Sequence, residues 1–169
     1  MVVISVISIM ALTATIYMYL KQPKIAYVRV PYLYENFEFK KEMEAKLNNV
    51  MQMRKTMIDS MQLQLKMLAG RLQNEKKPAE KDIEEFKDEK ERYISKKQQV
   101  DEDDNNASKR YADEILKQLT QYVQDYGKEN GYTYIMGAEG SGGIMAADEK
   151  NDVTNDVLKY INEKYKGKK

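Results

Sequence analysis

The chain has 169 residues, 28 of them Lys or Arg and 27 Asp or Glu, for a formal charge of +1. That balance gives no overall pull toward nucleic acid or an anionic membrane surface. There is no His and no Cys, which removes zinc and thiolate centres, His-based triads and an N-terminal lipidated Cys together.

Residues 1–20, MVVISVISIMALTATIYMYL, carry no charged side chain. Their length matches the roughly 20 residues that span a bilayer. No Lys or Arg precedes the apolar run, and Thr13-Ala14-Thr15 is a poor cleavage site. The segment (1–21) reads as an uncleaved membrane anchor, with a cleaved signal peptide as the alternative. Lys21 and Lys24 follow it, and by the positive-inside rule they vote against export.

Lys24 to Val30 is β-rich and closed by Pro31, which suits the start of a helix. From about Pro31 to Gly131 the spacing predicts two long helices folded back on each other, about 70 Å each. The out-going leg repeats apolar residues at three and four: Met43, Leu47, Val50, Met57, Met61, Leu65, Leu68 and Leu72, with Arg54 in the one polar slot. The reversal falls near residues 76–79, because Pro78 cannot continue a helix. The return leg carries Ile83, Phe86, Tyr93, Val100, Ala107, Tyr111, Ile115, Leu119, Tyr122 and Tyr126, and stops at Asn130-Gly131. If the legs pair about Pro78, Arg54 lies opposite the region of Asp101.

Tyr132 to Met136 alternates like a second strand. Gly137 to Gly143 reads as a glycine-rich turn, and Ile144 to Ala147 as a third strand. Thr154 is the expected N-cap of a last helix with Val157, Leu158, Ile161 and Tyr165 on its apolar face. Residues 22–30 and 131–169 thus predict a small β/α body, and residues 31–130 a hairpin arm inserted between strand 1 and strands 2–3. The fold class is mainly α with a small β body. A body this small, with open strand edges, calls for self-association.

Motifs for chemistry fail. The glycine-rich turn lacks the Lys and Ser/Thr of a phosphate-binding loop. Asp148 to Asp152 opens like a calcium loop, but lacks its central Gly and its final Glu. No pair of carboxylates has a positioning partner. The reading is a protein that is not an enzyme and has no cofactor, no metal and no nucleic-acid partner. With Val50 at the seam's centre, Met51 and Ile58 flank it on one side, Met53 and Met67 on the other, and Leu63 lies nearly opposite. These five form an adaptable apolar surface, suited either to filling gaps between helices within the arm or between arms, or to client binding. Lys66, Arg71, Lys76, Lys77 and Lys81 make the tip basic, either as a solvated end or as a docking point for anionic clients or head groups.

Both ends of the chain carry a resemblance. Lys24 to Val28 with Leu33-Tyr34, Gly131 to Ile135, Ile144 to Asp148 and Asp152 to Leu158 resemble the terminal motifs of the Skp/OmpH family of periplasmic chaperones. The resemblance covers about residues 24–163. It implies a homotrimer whose strands form one β body and whose three hairpins surround a cavity. It also implies ATP-independent holding of unfolded outer-membrane proteins in the periplasm. The family is typically basic, whereas this chain is near neutral, and a retained anchor would tether it to the inner membrane. The competing readings are a membrane-anchored coiled-coil spacer, similar to the b subunit of ATP synthase, and a single-partner adaptor.

Overall fold

A computed structural model describes residues 10–18, 22–139 and 143–167. In chain order it contains α1, helical over residues 10–18, then β1 (Ile25–Arg29), α2 (Val30–Asn36), α3 (Glu38–Asn74), α4 (Glu80–Glu129), β2 (Tyr134–Ala138), a 3-10 turn (Glu149–Asn151) and α5 (Thr154–Gly167). The protein is mostly helical, with one two-stranded sheet and one long helix pair. Two compact units emerge: Met1–Phe37 with Leu119–Lys169, and Glu38–Gln118. Among the described residues no helix is long and apolar enough to cross a membrane. The remainder of the expected anchor, residues 1–9 and 19–20, lies outside the described residues.

The first unit is built on β1. Its residues alternate, with Ala26 and Val28 buried and Ile25 and Arg29 exposed, as a pleated strand with one covered face requires. β1 pairs in parallel with β2, in the register Ile25 with Tyr134 through Arg29 with Ala138. Leu33, Val153, Val157 and Ile161 fill the buried face. α4 ends in a Schellman motif: Tyr132 N–H donates to Gly127 O and Gly131 N–H to Lys128 O, with Gly131 at φ 68°. Lys24 Nζ donates to Asn130 O at 3.0 Å, so the C-terminal end of α4 is tied to the residue that opens β1.

Three expectations are corrected. The out-going leg is not one helix from Pro31: it breaks at Phe37, whose backbone is extended at φ −74°, ψ 120°. Phe37 is wholly buried, edge-on to Tyr122 and Tyr165, and burying that ring outweighs helical continuity. β2 begins two residues later than expected, since the Tyr132 amide is used by the helix cap and Thr133 N–H donates to Lys24 O at 2.8 Å. β2 therefore includes Gly137, which was expected in the turn, while residues 140–142 of that turn lie outside the described residues. The third strand is absent. Residues 144–147 have no regular structure, and the only ladder pairing beyond them among the described residues is an isolated bridge between Tyr27 and Asp152. The amides beyond are used locally, Lys150 N–H on the Asp148 carboxylate and Asn151 N–H on Asp148 O.

In the second unit α3 runs antiparallel to the first part of α4. Arg54 pairs with Asp104, while Met57 and Met61 line a groove with Arg92, Ser95 and Gln99. The chain reverses over residues 75–79, as Pro78 predicts.

A Cβ at Gly137 would sit 2.8 Å from Val30 Cγ2, on a β-branched side chain with little freedom to move. Gly137→Ala should cost about 1–3 kcal/mol, read as a lower urea midpoint with an unchanged slope. Gly70, inside α3, has nothing within 4 Å of such a Cβ. Gly70→Ala should instead gain about 0.5–1 kcal/mol.

Candidate functional site

The seam of the helix pair decides which side chains are free to act. From Met43 onward the seam of α3 runs through Met43, Leu47, Met51, Arg54, Ile58, Met61, Leu65, Leu68 and Leu72, all buried or half-buried. From Arg54 onward they step by four and three, a seven-residue repeat. From Met43 to Arg54 they step by four, four and three, an eleven-residue repeat. In α4, Asp82, Phe86, Glu89, Tyr93, Lys96 and Val100 follow the seven-residue pattern, and Val100, Asp104, Ala107, Tyr111 and Ile115 the longer one. Seven residues average 3.5 per turn and eleven average 3.67, so the two stretches wind differently. Two successive steps of four fall at Leu47 and at Tyr111; Arg54 and Asp104 pair about two turns away, with side chains 30% and 17% exposed. The expected partner region was one turn away; Asp101 instead pairs with Lys97 at 2.6 Å.

The seam runs through Met51 and Ile58, seven residues apart, and leaves Val50 and Met57 exposed at its border. Met51 and Ile58, expected on the flank, are drawn half into the seam. Met53, Leu63 and Met67 stay outside, 75%, 59% and 58% exposed. At 100° per residue, Val50, Met53, Met57 and Met67 fall within about 100° of arc on one flank of α3, interleaved with Asn49, Ser60 and Gln64, with Leu63 just beyond. The opposite flank carries Asn48, Lys55, Asp59, Gln62 and Lys66. It borders a groove of about 540 Å³ shared with Lys97, Asp101 and Asp104 of α4 and floored by Met51, Ile58 and Val100. The helix pair is thus two-sided: one α3 flank is thioether-rich, the other polar.

All five tip cations, Lys66, Arg71, Lys76, Lys77 and Lys81, are exposed. Among the described residues none of them has a carboxylate partner.

In the first unit, one edge of β1 meets Asp152 and the other meets β2, while the outer edge of β2 has no strand beside it among the described residues. Tyr134 and Met136 on that strand are exposed, as is Ile25, and Met145 nearby is 95% exposed. A polar hub holds the inner side. Thr154 was expected to cap α5, but its hydroxyl accepts from Arg29 N–H at 2.9 Å and donates to Asp152. The Asp152 carboxylate also accepts from Thr154 N–H at 2.8 Å and lies 3.3 Å from Arg29 Nε. Burial alone pushes that carboxyl up, but the Thr154 hydroxyl and amide and the Arg29 guanidinium together hold it below its ordinary value. A second cluster joins α4 to α5: Tyr160 OH donates to Glu129 at 2.8 Å and Lys164 to the same oxygen at 3.1 Å. The Tyr160 hydroxyl and then Lys164 lower the Glu129 carboxyl. Sequence reading missed both clusters. Thr and Asp two residues apart before a helix was a usable signal for the first; nothing local announces the second.

The family model for OmpH-like outer membrane proteins matches residues 24–161. The chain belongs to the OmpH-like outer membrane protein family. None of the curated proteins matches it. Among solved structures it is similar to an OmpH-like protein of Caulobacter crescentus, a candidate outer membrane chaperone, at a TM-score of 0.66 and 15% identity, over 85% of this chain and 86% of that one. At that identity the likeness establishes the fold.

Arg54→Ala should destabilise the helix pair by about 1–3 kcal/mol, by stranding a largely covered Asp104. Arg54→Leu with Asp104→Leu should recover most of that loss, since a well-packed apolar pair replaces a partly buried ion pair at little cost; thermal melts of the helical signal read both. Asp152 has a depressed pKa in the folded state, so its stabilisation is present above its unfolded value of about 4 and is lost as pH falls through the lower folded value. Asp152→Asn should therefore cost about 1–2 kcal/mol at pH 7, and its deficit against the parent should shrink below about pH 4. A deficit independent of pH would refute the charge-based account.

Proposed function

We propose that this protein is an ATP-independent holdase that keeps unfolded outer-membrane proteins from aggregating in the cell envelope. The observation that carries the reading is the one-sided flank of Val50, Met53, Met57 and Met67, with Leu63 at its border. Thioether side chains are flexible and polarizable, and they make many weak contacts without demanding one shape. Contacts of that kind suit client chains that share composition but not structure. Family membership supports the same role.

The working form is a homotrimer. The open edge of β2 with exposed Tyr134, Met136 and Met145 supports it, because an unpaired strand beside apolar side chains is a template for another copy. Three helix pairs would enclose a client between their Met53 flanks. Residues 1–20 tether the assembly to the inner membrane, with the rest of the chain in the periplasm. The five unpartnered tip cations favour one further contact, with anionic segments of the client.

The test dilutes a urea-unfolded outer-membrane barrel into the protein without ATP and reads light scattering. Suppression near one trimer per client is expected, with a particle mass of three chains. Met53→Ser with Met67→Ser should leave the mass unchanged and weaken suppression by about tenfold, the equivalent of about 1.4 kcal/mol. A folded trimer that leaves scattering unaltered would overturn the holdase reading in favour of a tethered scaffold or single-partner adaptor.

A further inference from the structure

The exposed thioethers have a chemistry beyond softness. We propose that Met53, Met57 and Met67 are sites of reversible sulfoxidation by peroxide, and that their oxidation switches off the apolar flank of α3. The functional consequence rests on the holdase reading; the site assignment does not.

The step is a two-electron oxygen transfer. A thioether lone pair attacks one peroxide oxygen, an S–O bond forms as the O–O bond breaks, and the departing oxygen leaves as water after proton transfer. Sulfur is oxidised and peroxide reduced. The product is a polar sulfoxide, which reductases acting on that group return to the thioether.

Accessibility selects the sites. Within the helix pair Met53 and Met67 are 75% and 58% exposed and Met57, beside the groove it lines with Met61, 37%, whereas Met43 is buried and Met51 and Met61 are half-covered; Met10, Met18, Met136 and Met145, in the other unit, are exposed as well. No Cys competes for oxidant anywhere in the chain. Position gives the effect its size. The three residues share one flank with Val50, so three sulfoxides leave Val50 as its only apolar member, with Leu63 at the border. The seam, by contrast, keeps Met43, Leu65, Leu68 and Leu72 and is not opened. Oxidation is thus expected to remove a surface without unfolding the helices that carry it. Met145, still more exposed and in the other unit, reports the dose.

The test treats the full chain with hydrogen peroxide to a dose that converts Met145, then maps sulfoxides by peptide mass. Met53, Met57 and Met67 should convert ahead of Met43, Met51 and Met61, with the helical circular dichroism unchanged. Binding of an anilinonaphthalene sulfonate dye, which needs no client, should fall. The concentration that half-suppresses aggregation of an unfolded outer-membrane barrel should rise by about tenfold, or about 1.4 kcal/mol. The variant Met53→Leu, Met57→Leu, Met67→Leu keeps apolar volume but cannot be oxidised there. After the same dose it should keep both dye binding and suppression, and a methionine sulfoxide reductase should restore both to the oxidised parent. Equal losses in the triple-Leu variant would place the effect elsewhere and overturn the switch, as would unchanged dye binding with the three sites converted. If the untreated protein suppresses nothing while the dye and mapping results hold, the holdase reading fails and the oxidation sites stand.

Discussion

The parallel pairing of β1 with β2 is the constraint on which the first unit depends. It joins residues from opposite ends of the chain, so the unit has no core until both ends are present. Closing so long an intervening segment costs entropy that grows only slowly with its length, which is why a long helix pair is tolerated inside so small a unit. What holds the closed state is a short set of directed contacts. Ala26 and Val28 lie against Val157 and Ile161, while Tyr27 O and the Arg29 amide are taken up by Val153 and the Thr154 hydroxyl. Asp152 organises that last group by accepting from Thr154 and facing Arg29. Because Thr154 serves β1 as well as its own helix, strand and helix are fixed by the same few atoms.

In the second unit the corresponding constraint is the winding of the seam. A seven-residue repeat counted from Met43 would bury Val50 and Met57. The covered positions instead take two successive steps of four at Leu47, and the seven-residue phase that follows runs through Met51, Ile58, Leu65 and Leu72. On α4 two successive steps of four fall at Tyr111. Arg54 and Asp104 form one polar layer of the seam, about two turns away. A polar pair at such a layer adds little net stability, but it penalises any register that separates the two charges.

Much of this architecture is legible in the sequence, for identifiable reasons. The reversal at Pro78, the stop at Gly131, the first strand and the last helix are written in residues whose backbone preferences are strong and local. The break at Phe37 is not, because it is caused by Tyr122 and Tyr165 meeting that ring across the fold. The third strand failed for the opposite reason: Ile144 to Ala147 has strand composition, but the free edge of β1 is met by Asp152, and these residues do not pair with the open edge of β2. The exposed face of α3 was half legible. Met53, Leu63 and Met67 project as expected, while Met51 and Ile58 do not. Counting from Val50 followed a phase one residue off, since the covered positions run through Met51, Ile58 and Leu65.

The polar residues of α3 bear on why the apolar ones beyond the seam lie on one flank. An α3 helix that had to pack on both sides would carry apolar residues around most of its circumference. Here Asn48, Lys55, Asp59 and Gln62 keep one flank wet, so the apolar residues beyond the seam are not left over from packing. They are also mostly unbranched thioethers rather than Leu or Ile, although Leu would favour the helix equally well. Helix formation therefore does not account for the choice, and neither does the seam, from which Met53 and Met67 are turned away. What distinguishes methionine from leucine at an exposed helical position is conformational freedom and a polarizable sulfur. Those properties matter only against a surface that is not fixed in advance, and the same sulfur is the one atom on that flank open to reversible oxidation.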